Sequence, residues 1–176
     1  MPPHCDSLDG PVVAAARRAL EAGRADLVLP FVPEDAWDQV RQAFGLTGRA
    51  RAAGGPAAEV ADLWFFETVV RLHRAGEGAP YTGLKPAGLD VGPVIPVAEA
   101  AIASGEPDGL VHLLTARLEA EIRSRFAHMR HLAAEAGRGL PEARRHTEAM
   151  LGLQVWAHGL YQAIGAPAHA GHHEHD

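Results

Sequence analysis

Val111, Leu114, Leu118, Ile122, Met129 and Leu132 recur at the three- and four-residue spacing that puts them on one stripe of a helix, from Glu106 to about Glu135. A stripe that long cannot serve as a strand, and it commits the chain to helix-on-helix packing. The same period returns elsewhere. "DGPVVAAARRALEAG" offers Asp9 as a cap, Pro11 in the first turn and Gly23 as a stop. "VPEDAWDQVRQAFG" follows an acidic first turn with Trp37, Val40 and Phe44 at helical spacing. "RARAAGG" at 49–55 reads as a loop, then a long helix runs from about Pro56 to Arg74, a short one occupies "PVIPVAEAAIASG", and the last spans about Leu140 to Ile164. Strand-like alternation and hairpin turns are absent from the sequence. The expected fold is an all-α, single-domain bundle of about six helices in residues 1–165, with a His-rich tail at 166–176.

A chain of 176 residues is long enough to bury a core, and 47% apolar with 22% charged residues is a globular balance. A net charge of -6 argues against a general binder of nucleic acid or anionic membranes. Apolar runs fall short of a membrane span. "MPPHCDSLDG" shows no basic region followed by an apolar one, so a cytoplasmic location is expected. One cysteine, Cys5, rules out an internal disulfide.

Two features of "FFETVVRLHRAGEGAPYTGLKPAG" ask for an explanation. By helical geometry Glu67 lies at the edge of the side that carries Leu63, Phe66, Val70 and His73, where a carboxylate needs a partner or a metal. Arg71, one turn on, is the ion-pair alternative. The glycine- and proline-rich loop that follows carries Lys85, the chain's one lysine among fifteen arginines, together with Tyr81. A loop of that length without regular structure is usually functional or disordered, and its Tyr, Leu and Lys are not linker residues.

"HCD" places His4, Cys5 and Asp6 just before a helix start, and imidazole with thiolate suits Zn, Fe, Ni or Cu. His128 and His131 in "HMRH" would meet across one turn of the long helix. His112 is expected in solvent, His146 on the apolar side of the last helix and His158 off that side. "HAGHHEHD" ends the chain as a metal-affine tail.

Taken together, "HCDSLDGPVV" and "FFETVVRLHRAGEGAPYTGLKPAG" resemble the motifs of a bacterial family of unknown function, over most of the chain to about residue 130. The resemblance implies no activity. Many members carry a secretion signal before the His-Cys-Asp motif, which this chain does not show. Over three residues "HCD" is also similar to the opening of the N-terminal hook of nickel superoxide dismutase, without that hook's second cysteine.

The expectation joins the two motifs. The N-terminal segment folds over the bundle so that His4 and Cys5 meet Glu67, with His73 or His128 completing a site for one transition metal ion. Tyr81, Lys85 and Arg71 would act on a small anionic substrate under the loop, as in a small metalloenzyme. A non-catalytic metal-binding, storage or metallochaperone protein is the alternative. The expected partner is a small molecule, with neither nucleic acid nor membrane, and homo-oligomerisation is left open.

Overall fold

A computed structural model describes residues 3–166. The fold is all-α, as the periodicity requires. Six α-helices lie among the described residues: α1 Pro11–Ala22, α2 Trp37–Arg51, α3 Gly55–Gly76, α4 Val94–Ser104, α5 Asp108–Glu135 and α6 Leu140–Gly165. Short 3-10 turns at Pro3–Asp6, Ala25–Leu27, Leu29–Phe31, Glu34–Ala36 and Ala136–Arg138 complete the regular structure. No described helix is long and apolar enough to cross a membrane. The helices sort into two compact units that divide after Gly92. The predicted His-rich tail lies, from residue 167 on, outside the described residues.

The first unit holds the core. α3 packs against both α1 and α2. Small residues on α1 (Ala15, Ala16 and Ala19) let its backbone come close, and Val12, Val13, Val40, Phe65, Val69 and Val70 fill the space between, all essentially inaccessible to solvent. Burying a side chain the size of Val or Phe contributes roughly 1.5–3 kcal/mol, so this cluster is what stabilises the unit. Phe44 meets Phe65 edge-on with ring centroids 5.9 Å apart. The 3-10 turns between α1 and α2 fall where Pro30 and Pro33 prevent a continuous helix. The Trp37 indole N–H ties them down by donating to the Leu29 and Val32 carbonyls at 3.1 and 3.3 Å.

Two local expectations need correction. α2 continues through Gly45 and Gly48 to Arg51, so the loop expected at 49–55 shrinks to three residues before Gly55. Asp9 does not cap α1: Gly10 holds the N-cap position, and the Asp9 carboxylate instead accepts the Gly88 N–H at 2.7 Å. Gly23, in the left-handed region at φ 66°, ends α1 as expected.

The second unit consists of α4 against α5 and of α5 paired with α6. The ends of α5 and α6 agree with the sequence reading to within about two residues, yet no residue from Pro93 to Ala166 is buried. His112 and His158 are exposed and His146 half-buried, as expected.

A candidate site where the N-terminal arm meets the glycine-rich loop

The two sequence motifs do come together. Residues 3–9 form an arm along the loop that follows α3. The Lys85 N–H donates to the Asp6 carbonyl at 2.8 Å, and the Leu8 N–H donates to the Lys85 carbonyl at 3.0 Å, an isolated parallel bridge between Ser7 and Lys85. The arm is closed on itself by Ser7, whose N–H and hydroxyl both donate to the His4 carbonyl, at 3.1 and 2.8 Å. Gly10 makes this turn possible, because a Cβ there would stand 1.8 Å from the His4 carbonyl oxygen.

An ion pair then fixes the arm to α3. Arg74 Nε donates to Asp6 Oδ1 at 2.5 Å, with the two side chains 10% and 7% exposed. The Asp6 hydrogen bond raises the Arg74 pKa further, so this cation is permanent. Arg74 also lies 3.6 Å from Glu77 Oε2. Arg74 and Glu77 were not singled out from the sequence, and Asp6 stood out only as the last residue of the His-Cys-Asp motif. The available signal was Arg74 itself: it follows Phe66 and Val70 at four-residue steps on the buried face, where a charge demands a partner.

His73 and Glu77 stand beside this pair. His73 Nδ1 lies 2.7 Å from the Phe31 carbonyl, which only accepts, so Nδ1 carries the proton and donates. In the neutral ring Nε2 then holds a lone pair, yet it lies 3.2 Å from Glu77 Oε1. Two acceptors face each other unless a proton or cation lies between them. His73 Nε2 and Glu77 Oε2 are both buried atoms without a hydrogen bond. Cys5 is half-buried and free. Burial pushes its thiol above the ordinary 9.0, and the Glu77 negative charge adds to the shift, while Arg74 opposes it.

The remaining predicted site residues are distributed as follows. His4 is half-buried in the arm. Glu67 is exposed rather than packed among apolar residues, because the buried arc of α3 runs through Phe65, Phe66, Val69 and Val70 and leaves Glu67 in the gap beside α2. There it lines a groove of about 370 Å³ with Gln39, Gln42, Trp64, Thr68 and Arg71. Glu67 and Arg71 are one turn apart but form no ion pair with each other among the described residues. Tyr81 is half-buried, and its hydroxyl is a buried atom without a hydrogen bond. Its pKa is raised by burial first and by the negative charge of Glu67 second. The Lys85 ammonium donates to the Thr82 carbonyl at 3.0 Å within its own loop. His128 belongs to the second unit, where it lines a groove of about 650 Å³ with Glu121, Arg125 and Glu148. Among the described residues, no group of three or more His, Cys, Asp or Glu side chains could hold a metal ion as placed.

A family of unknown function, DUF6448, matches residues 9–156. The chain belongs to the DUF6448 family. The match starts just after the His-Cys-Asp segment and takes in the whole glycine-rich loop. No curated protein matches the chain, and no solved structure does.

Proposed function

We propose that this DUF6448 protein binds one transition metal ion, of the Zn, Fe, Ni or Cu class, at the face between the arm and α3, and uses it as a small metalloenzyme. The first two ligands would be His73 and Glu77, which already meet, and Cys5 or His4 would join them through a shift of the arm, since among the described residues no three such side chains stand within reach of one ion as placed. The observation that carries the reading is the state of His73. Its Nδ1–H is spent on the Phe31 carbonyl. That is the support a metal-binding histidine usually has, and it leaves Nε2 as the donor atom. Nε2 faces a carboxylate oxygen at 3.2 Å, and a half-buried thiol lies within electrostatic reach of the same carboxylate. A cation among these three would neutralise Glu77 and hold Cys5 as thiolate. Such an ion supplies Lewis-acid or redox chemistry. The Tyr81 hydroxyl, buried at the loop beside the Leu84 backbone, would reach a small anionic substrate only once the loop opens.

A non-catalytic metal-binding role is the second reading. It is favoured by Lys85, whose ammonium is held by the Thr82 carbonyl of its own loop.

Elemental analysis and cobalt(II) titration of protein purified without a nickel column test both readings. Close to one metal per chain is expected, with a sulfur-to-cobalt charge-transfer band. Cys5→Ser, His73→Ala and Glu77→Gln should each lower occupancy, whereas Glu67→Ala should not. Metal-free protein without a cobalt band would leave the face as a structural latch. A bound metal with no small-molecule turnover would support storage.

A further inference from the structure

Each of the helices α4, α5 and α6 lacks a single buried residue. On α5, Val111, Leu114, Ile122 and Phe126 keep 46–54% of their surface in solvent. They fall within one stripe of the helix, with half-buried Leu118 and Met129 between them. On α6, Leu151 and Val155, one turn apart, are 50% and 73% exposed. Packing against α6 thus covers only part of an apolar surface built for a wider contact.

We propose that α5 and α6 pair with the same two helices of a second copy of this chain, as a four-helix bundle. Three observations favour a second copy as the occupant. The first is need. Helices α4, α5 and α6 without one buried side chain lack the core that holds a unit of this size together, and a second copy supplies a matching apolar face. The second is area. α5 has 28 residues and α6 has 26. At about 1.5 Å per residue the hairpin is roughly 40 Å long, and at about 10 Å per helix roughly 20 Å wide. One face is then about 800 Å², the share each partner gives to a standard stable interface. The third is charge. α5 carries as many carboxylates as arginines, and several pair within the helix: Arg117 reaches Glu121 at 2.7 Å, Arg123 reaches Glu119 at 2.6 Å and Arg125 reaches Glu121 at 3.4 Å. On α6, Arg144 pairs with Glu148 and Arg145 with Glu142. Two identical faces therefore meet without net like-charge repulsion, as a two-fold symmetric interface requires.

The test is the mass of the full chain in solution by light scattering, read beside hydrogen exchange of α5 and α6. Wild type should run at twice 18.6 kDa, with the α5 and α6 amides protected. Ile122→Asp and Phe126→Asp should each give one-chain mass and faster exchange confined to the second unit. Exchange in α1 and α3 should stay slow, which separates lost pairing from global unfolding. A monomeric wild type with protected α5 and α6 would overturn the proposal, because the hairpin would then be covered within its own chain. A monomer with unprotected helices, or a dimer that survives both substitutions, would overturn it as well.

Discussion

Arg74 Nε and Asp6 Oδ1 meet at 2.5 Å across 68 positions of sequence, in a place where neither side chain is more than 10% exposed. Breaking a buried pair from one side leaves the other charge desolvated and alone. Arg74→Met should therefore destabilise the first unit by about 3–5 kcal/mol in urea unfolding. The double variant with Asp6→Asn should recover part of that loss. A double variant as unstable as the sum of the singles would mean that the two residues act separately.

The thiol of Cys5 should resist alkylation at neutral pH and become reactive only above its ordinary value of 9.0. Because its folded pKa is raised, the folded state holds the proton longer than the unfolded chain does. Stability is at its full level below 9.0 and falls as pH rises through the folded value. Glu77→Gln removes a negative charge that opposes the thiolate. It should move the alkylation profile to lower pH, and an unmoved profile would show that burial alone sets it.

Asp9 is shifted the other way. Its carboxyl is held below the ordinary 3.8 by the Ser7 side chain and the Gly88 N–H. A depressed value means stability that is present above 3.8 and lost as pH falls through the folded value. Acid should thus loosen the contact between arm and loop. The amides of Lys85 and Gly88 should lose hydrogen-exchange protection there in wild type, and Asp9→Asn should remove that pH dependence.

Two glycines should respond differently to alanine. A Cβ at Gly10 meets the His4 carbonyl oxygen at 1.8 Å, so Gly10→Ala must push the arm off its turn. It should cost on the order of 1–3 kcal/mol and speed Cys5 alkylation. At Gly23 nothing lies within 4 Å, and only the positive φ of 66° is at stake. Gly23→Ala should cost roughly 1–2 kcal/mol, with Cys5 reactivity unchanged. Equal alkylation rates in the two variants would disconnect the Gly10 turn from the thiol.

The helices were legible because long runs such as Leu114, Leu118 and Ile122 repeat the helical period with little competition. What lay beyond the sequence is tertiary. Glu67 was misplaced because α3 packs on two helices, so its buried arc is not the stripe that Leu63 and Phe66 suggest. Asp9 looked like a cap, but its partner Gly88 is 79 residues away and no local rule reveals it. The arm and loop motifs could be joined on chemical grounds, whereas the pairing of Asp6 with Arg74 needed the backbone bridge at Lys85 to set the register. Most misleading was α5, whose apolar stripe reads the same whether it lies in a core or waits for cover.

The backbone bridge also sets an order of events during synthesis. The arm is made before the loop, and Gly88, the partner of Asp9, trails it by 79 residues. At roughly 5–20 residues per second, ribosomal elongation needs roughly 4–16 s to supply the rest of the latch. Until then the Cys5 thiol of the nascent chain has neither its burial nor the charges of Arg74 and Glu77 around it. Any oxidant or electrophile that the finished protein resists has this interval in which to reach it.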